Sequence, residues 1–180
     1  MKRIKINDMN TIKILKLFLT ITLLISCGSD DDNNSQNPID QLPPETQTGA
    51  NTFGFLVNGE PINVTNTSQQ TAIYQGGILQ IGGGIDNSNM DKRVIIRISE
   101  TITQGTNYNL TNTPINQSLY INNENGCYYD YLNTVEGTLT ISNFDETNFI
   151  ISGTFEFSTI TDNCEIINIT NGRFDLQYIP

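Results

Sequence analysis

The sequence predicts an all-β domain over residues 51–180, either an antiparallel β-sandwich or a small β-barrel built from hairpins. Three observations carry this prediction. Apolar and polar residues alternate with a period of two, Asn-Gly and Gly-Gly pairs interrupt the alternation, and no apolar stripe with helical spacing occurs in these residues. Short strands joined by tight turns are typical of both architectures, so the pattern does not choose between them.

The first half of this domain contains two predicted hairpins. In each of them, a pair of residues that tolerate positive φ separates two short alternating segments, which is the usual signal for a tight β-turn. Gly82–Gly84 is expected to end the second hairpin, and residues 94–98 are expected to form a further strand. The hairpins are residues 53–64 around Asn58-Gly59 and residues 72–81 around Gly76-Gly77.

The second half of the domain has the strongest alternation. Residues 138–142 form a predicted strand, and Asn143–Asn148 form a polar turn. The returning strand has its apolar residues on one face, and Gly153 among them predicts a bend or bulge. A turn at Asn171-Gly172 is expected before a closing strand at residues 174–178. The face of the returning strand comprises Phe149, Ile151, Gly153, Phe155 and Phe157.

Residues 1–26 have the composition of a secretory signal peptide. Five basic residues precede a mainly apolar segment at residues 17–25. A membrane-spanning helix requires about 20 apolar residues, and this segment is less than half as long. We therefore expect residues 1–26 to direct export and to be removed, with translation starting at either Met1 or Met9.

The segment ends in Leu24-Ile25-Ser26-Cys27, which resembles the bacterial lipobox. The resemblance implies that the thiol of Cys27 takes a diacylglycerol and that signal peptidase II cleaves before it. The alternative is an ordinary secretory signal with an incidental Cys. If Cys27 is acylated, the mature protein is expected to associate with a membrane through its lipid anchor.

The residues after Cys27 indicate where the protein is located in the cell. Gly28-Ser29-Asp30-Asp31-Asp32 resembles the surface-export signal of Bacteroidota lipoproteins, although a solvated acidic linker has the same composition. We expect a lipid-anchored protein of the outer membrane, exposed at the cell surface, with a periplasm-facing location as the alternative. Residues 27–50 are expected to form a lipidated, flexible, acidic and polar tether because they are rich in Asn, Asp, Gln and Pro.

The charge of the chain argues against nucleic acid as a partner. The chain has 9 basic and 19 acidic residues, a formal net charge of −10. Removal of residues 1–26 takes away five basic residues and one acidic residue, which leaves 4 basic and 18 acidic residues and a formal charge of −14. Binding to a phosphate backbone requires clustered Lys and Arg, and the mature chain has too few.

Cys127 and Cys164 are predicted to form a disulfide, because an exported chain meets an oxidising compartment. Two free thiols are the alternative, since spacing alone does not bring two Cα atoms within reach. The chain contains no His, which excludes Ser-His and Cys-His nucleophilic sites. Without His, the two thiolates are an incomplete set of zinc ligands. No cofactor, metal site or catalytic residue is predicted.

Two sets of acidic residues are candidate sites. Asp130, Glu136 and Glu156 are candidates for the paired carboxylates of a glycan hydrolase, but acids scattered over a β-surface are usually solubilising charges, so no enzyme is expected. Asp86–Asp91 offers oxygen ligands for Ca²⁺ but lacks the Gly and Glu that an EF-hand loop requires. We expect a solvated hairpin loop there.

The candidate ligand-binding residues are Tyr128 and Asp130. In a strand, Tyr129 and Tyr131 share a face with Cys127 and are expected in the core, whereas Tyr128 and Asp130 face away. An exposed Tyr beside a carboxylate can stack on a sugar ring and bond its hydroxyls, and ordinary strand packing is the alternative. The predicted function is a binding or structural module with an envelope protein or a glycan as partner, and the alternative is a carboxylate-dependent envelope hydrolase acting on glycans.

Four stretches of the domain combine strand residues with turn residues, and they are residues 51–59, 137–141, 151–157 and 169–175. They resemble the recurring blocks of an uncharacterised Bacteroidota lipoprotein family, a domain of unknown function. The resemblance covers most of residues 51–180. It implies a lipid-anchored all-β domain and supplies no catalytic residue.

Overall fold

The fold is described from a computed structural model, which covers residues 37–87, 90–111, 113–122 and 126–180. The predicted signal peptide, Cys27 and the acidic run at residues 30–32 lie outside these residues. Within the described ranges, no helix has the length and apolar character that a membrane span requires.

Strands dominate the described part of the chain, joined by turns and by short 3₁₀ helices, which we label η. The strands are β1 (Thr52–Val57), β2 (Glu60–Asn63), β3 (Gln70–Gln75), β4 (Ile78–Asn87), β5 (Met90–Ile98), β6 (Asn107–Asn109), β7 (Asn116–Asn122), β8 (Cys127–Tyr129), β9 (Thr134–Asp145), β10 (Ile150–Thr159) and β11 (Ile167–Gln177). The 3₁₀ helices are η1 (Pro38–Gln41), η2 (Thr67–Gln69) and η3 (Tyr131–Asn133).

The strands form two antiparallel sheets that pack as a sandwich, and over the described residues no sheet closes into a barrel. The six-stranded sheet has the order β2-β1-β11-β10-β9-β6, and the five-stranded sheet has the order β3-β4-β5-β7-β8. The inner faces share one hydrophobic core. Within it the rings of Phe53 and Phe155 lie 5.4 Å apart, centroid to centroid. The all-β prediction is confirmed, and its sandwich alternative is the correct one.

Both predicted hairpins are present. Asn58 and Gly59 have φ of 49° and 88°, and Gly76 and Gly77 have φ of 61° and 78°. Two successive residues with positive φ give the turn that matches the twist of antiparallel strands. The local turn signal in the sequence therefore identified both positions.

Gly82–Gly84 does not end a strand, contrary to the prediction, because β4 continues through it to Asn87. A Cβ atom at Gly83 would lie 2.6 Å from Cδ1 of Phe53 in the opposite sheet. The missing side chain lets the ring of Phe53 pack directly on the β4 backbone. Asp86 and Asp91 were expected in a solvated hairpin loop, but they are paired strand residues of the β4–β5 hairpin, because β4 runs to Asn87 and β5 begins at Met90.

Asn171-Gly172 is not a turn, contrary to the prediction, because β11 continues through it. Asn171 has φ of 52°, and the register of β11 shifts on both sides, between Gly54 and Leu56 of β1 and between Phe155 and Phe157 of β10. The pair therefore forms a bulge, which uses positive φ as a turn does but lets the strand continue. The bulge predicted at Gly153 is confirmed by a register shift between Ser152 and Gly153 against β9.

Phe149 does not belong to the inner face of β10, contrary to the prediction. The preceding strand β9 extends to Asp145, so Phe149 falls in the turn with φ of 56° and is 43% exposed. Its ring packs edge-on against Tyr178, with centroids 5.7 Å apart. Alternation assigned Phe149 to the same side of the chain as Ile151, but it could not show that the β9–β10 turn includes Phe149.

Residues 37–50, which we call the strap, were predicted as part of a flexible tether but pack on the outer face of the six-stranded sheet. Leu42 is buried. The ring of Pro43 fills the space that a side chain at Gly54 would need, since a Cβ there would lie 2.5 Å from its Cδ. The guanidinium of Arg173 donates a 3.3 Å hydrogen bond to the Pro43 carbonyl. The folded domain therefore begins before residue 51.

Candidate functional site

The predicted disulfide is present between Cys127 and Cys164. The S–S distance is 2.04 Å and the Cα atoms are 6.2 Å apart. It joins β8 to the connection between β10 and β11, and the Tyr129 hydroxyl supports the same junction by donating a 3.0 Å hydrogen bond to the Glu165 carbonyl. Burial, followed by the charge of Glu165, raises the pKa of Tyr129. Tyr129 is buried, as predicted.

Tyr128 is 56% exposed on β8, which agrees with its predicted orientation. Asp130 is the N-cap of η3. Its Oδ1 accepts a 2.9 Å hydrogen bond from the Leu132 amide, and its own amide donates a 2.9 Å hydrogen bond to Oδ1 of Asn133. Its carboxylate is therefore engaged in a helix cap. Tyr131 was predicted in the core but is only half-buried, because the strand has already ended before it.

The three acidic residues considered for catalysis do not come together as one site. Glu136 lies opposite Ser158 and Glu156 lies opposite Thr138, so the two Glu residues are diagonal neighbours on the outer face of β9 and β10. Both are exposed, and Asp130 is separate from them in its cap. The structure thus brings together two of the three carboxylates.

Glu156 lies in a shallow depression on this outer face that we call the trough. It comprises two concave volumes of about 260 Å³ and about 300 Å³, which share Thr138 and Glu156. The strap contributes Glu45 to the first volume, and β9 contributes Glu136 to the second. The polar residues that line the trough are Glu45, Glu136, Glu156, Thr138, Thr140, Thr154, Ser158, Thr170 and Asn171.

The trough offers hydroxyl, amide and carboxylate groups to a ligand. Among the described residues, those that line it include no Lys or Arg. Its carboxylates therefore favour ligands rich in hydroxyl donors and disfavour anions. No grouping of three His, Cys, Asp or Glu residues that could hold a metal occurs in the described ranges.

Asp175 fixes the strap that carries Glu45. It is fully buried and accepts hydrogen bonds from the amides of Thr48, Gly49 and Ala50 at 2.8–3.1 Å. The hydroxyls of Thr46, Thr48 and Ser152 donate three more, at 2.6–3.3 Å. Burial alone raises the pKa of a carboxyl, but these donors outweigh it and lower the pKa of Asp175 to about 2.

Neither the trough nor Asp175 is indicated by the sequence alone. In the sequence, the lining threonines are the polar half of ordinary alternating strands, and Glu45 belongs to a segment that resembles a linker. Only long-range pairing brings β9, β10 and β11 side by side and lays the strap against them. No local signal marked either feature.

A family model described as a domain of unknown function (DUF6252) matches residues 57–176. The matched span runs from the last residue of β1 almost to the end of β11, and it includes Glu136, Glu156 and both cysteines of the disulfide. It leaves out the strap and with it Glu45. Neither a curated protein nor a solved structure matches the chain.

Proposed function

The chain belongs to the family defined by the domain of unknown function DUF6252, and we propose that this member is a lipid-anchored outer-membrane protein, exposed at the cell surface, whose β-sandwich binds neutral glycans. The observation that supports the binding proposal is the trough, a concave part of the outer sheet face beside the strap, lined by hydroxyl, amide and carboxylate groups. Such groups satisfy sugar hydroxyls as both donors and acceptors.

The location rests on the N-terminal sequence. A basic segment, a short apolar segment and Cys27 follow one another in the order that lipid attachment requires, and an acidic run follows directly. The disulfide between Cys127 and Cys164 supports a compartment outside the reducing cytoplasm. The anchor makes the membrane the first partner of the protein.

The charge of the trough narrows the ligand class. Glu45, Glu136 and Glu156 repel phosphorylated or carboxylated sugars, whereas a neutral saccharide can donate its hydroxyls to them. The threonines around Glu156 supply further hydroxyls at the spacing of neighbouring strands. A neutral oligosaccharide lying across β9, β10 and β11 is therefore the ligand that we propose.

A glycan array probed with the purified mature protein tests this proposal. We expect neutral glycans to bind and Glu156→Gln to weaken their binding about tenfold or more, because a hydrogen bond to a charged group is lost. Glu146→Gln is the matched control, since it makes the same charge change in the β9–β10 turn, outside the trough. If no glycan binds, or if both variants weaken binding equally, the trough is not the binding site, and a structural role for the domain is favoured.

Glycan hydrolysis is the second candidate, favoured by the diagonal placement of Glu136 and Glu156 on adjacent strands. Two carboxyl groups that flank one glycosidic bond are the usual machinery of such enzymes. The same array ligands distinguish the candidates. Release of a shortened product, abolished by Glu136→Gln, indicates a hydrolase, whereas binding without turnover indicates a binding module.

A further inference from the structure

The end of the six-stranded sheet beside the disulfide exposes a group of large apolar side chains, which we call the disulfide end. Four of them are aliphatic, and each is between 41% and 59% exposed. Tyr128 is exposed on β8 of the five-stranded sheet, next to Cys127 of the disulfide. Scattered exposed apolar residues are ordinary, but a cluster at one place marks an interaction surface. The four aliphatic residues are Leu132, Val135, Ile160 and Ile166.

Backbone pairing places these side chains in a row. Thr159 at the end of β10 pairs with Ile167 at the start of β11. Ile160, which follows β10, and Ile166, which precedes β11, are therefore directly across from each other. On its other side, the Ile160 amide donates a 3.1 Å hydrogen bond to the Asn133 carbonyl, which places it beside η3 and Leu132. The row therefore crosses the end of the sheet from β11 to η3.

A register shift turns Val135 toward the same surface. Thr134 lies opposite Thr159 and Glu136 lies opposite Ser158, which leaves Val135 without a partner in the ladder. Thr134 is buried, whereas Val135 and Glu136 are both exposed. The irregularity thus presents an aliphatic side chain where regular alternation would have buried it.

The segments that carry this surface are held in place. The disulfide and the hydrogen bond from Tyr129 to Glu165 fasten the connection between β10 and β11. The side chain of Asn58 donates a 3.2 Å hydrogen bond to the Ile166 carbonyl, and Asp130 caps η3. A surface ordered in advance loses little conformational entropy when a partner binds.

The charge around the disulfide end identifies the chemistry of the partner. No Lys or Arg occurs between Arg97 and Arg173, and Glu136, Asp162 and Glu165 accompany the exposed aliphatic residues. Lys92 and Arg93 lie two strands away on β5, opposite the β7 residues that pair with β8, and Lys92 is already paired with Glu60 at 3.7 Å. A second copy of the chain would bring like charges together, and so would a bilayer with anionic headgroups. A protein surface with basic residues around an aliphatic centre would be complementary.

We propose that the disulfide end is a docking surface for a protein whose contact region has an aliphatic centre and a rim of Lys and Arg. The surface borders the trough at Glu136, but its aliphatic row lies outside the trough and does not depend on glycan binding. It presents a rigid aliphatic row inside an acidic rim, which gives affinity through the row and selectivity through the charges.

Photo-crosslinking in intact cells tests this proposal on the full-length protein. Benzoylphenylalanine is placed at position 132 or 166, and at Phe149 or Ile179 as the matched control. The control positions are also exposed but lie where β10 begins and β11 has ended, at the opposite end of the six-stranded sheet. We expect a covalent adduct with one protein from 132 and 166 only, and its crosslinked peptide should carry Lys or Arg beside aliphatic residues.

A second substitution checks that the row itself binds. With the crosslinker at 166, Ile160→Ser should reduce the adduct at least fivefold, whereas Ile179→Ser should leave it within twofold. Both variants must form the disulfide and reach wild-type abundance, which excludes misfolding as the cause. The proposal is overturned by an adduct of twice the chain mass, by lipid adducts, by equal adducts from the control positions, by an adduct insensitive to Ile160→Ser, or by no adduct.

Discussion

The hydroxyl of Thr46 donates a 2.6 Å hydrogen bond to Oδ2 of Asp175, 129 positions later in the chain. This contact is one of six through which the strap and Ser152 enclose a buried carboxylate. The strap thereby becomes part of the domain although it precedes the first strand. Nine residues, 28–36, separate it from Cys27, and a chain of that length spans at most about 30 Å.

Replacement of Asp175 with Asn should release the strap and destabilise the domain. The amide keeps the shape of the side chain but removes the charge, and its NH₂ group faces the donors of Thr46, Thr48 and Ala50. We expect the free energy of unfolding to fall by about 2–4 kcal/mol, as for buried hydrogen bonds to a charged group. Urea unfolding followed by circular dichroism measures this difference.

Asp162→Asn is the control for that measurement, because it removes the same charge from an exposed position. It should change the free energy of unfolding by less than about 0.5 kcal/mol. Equal stabilities of the Asp175 and Asp162 variants would show that the buried carboxylate does not hold the strap.

The contribution of Asp175 should depend on pH. Its pKa is about 2 in the folded domain and 3.8 ordinarily, so its carboxylate stabilises the fold fully above about pH 4 and loses this effect as the pH falls through about 2. The stability difference between wild type and Asp175→Asn should therefore shrink by about 2 kcal/mol between roughly pH 5 and pH 1.5. Urea unfolding at successive pH values tests this, and a difference that is constant with pH contradicts it.

Features with a local signal could be predicted from the sequence. Asn58-Gly59 and Gly76-Gly77 mark turns because few other residue pairs adopt two positive φ values without strain. Alternation also identified the buried face of β10, since a strand places every second side chain on the same side.

Features that depend on distant partners could not be predicted in this way. Gly83 lies within β4, and the ring of Phe53 from the other sheet occupies the space that a side chain at Gly83 would need. Asn171 has the same positive φ in a bulge as it would have in a turn, so its conformation does not reveal whether the strand continues. Asp175 is at a polar position in an alternating strand, and nothing near it in sequence indicates that residues 46–50 cover it.

Gly83→Ala should destabilise the domain more than Gly76→Ala. A methyl group at Gly83 would lie 2.6 Å from the fully buried ring of Phe53, whereas at Gly76 it would meet nothing within 4 Å. We expect losses of about 2–3 kcal/mol at Gly83, from overpacking, and about 1 kcal/mol at Gly76, from positive φ alone. Thermal and urea unfolding compare the two variants, and the reverse order would contradict the packing of Phe53 on β4.

Removal of the disulfide by Cys127→Ser with Cys164→Ser should lower the free energy of unfolding by about 4 kcal/mol, since the bond closes a loop with a sequence separation of 37. Reduction of the wild-type protein should have a similar effect. The reductant should leave the free energy of unfolding of the double variant unchanged, and this measurement controls for other effects of the reagent. A loss below about 1 kcal/mol would mean that the unfolded chain gains little freedom when the bond is absent.

Cys27→Ser should abolish lipid attachment. The wild-type protein is expected to incorporate labelled palmitate and to fractionate with the outer membrane, because several acyl chains hold a protein where a single chain gives only marginal binding. The variant should lose the label and leave the membrane fraction. The double variant Cys127→Ser with Cys164→Ser should keep the label and stay in the membrane fraction, and thus controls for general thiol effects.

Protease added to intact cells should degrade the wild-type domain if the acidic run at residues 30–32 directs it to the surface. A labelled Ser variant, or an unlabelled wild type, would contradict the anchor, whereas a labelled but protease-resistant protein would contradict only its exposure at the surface.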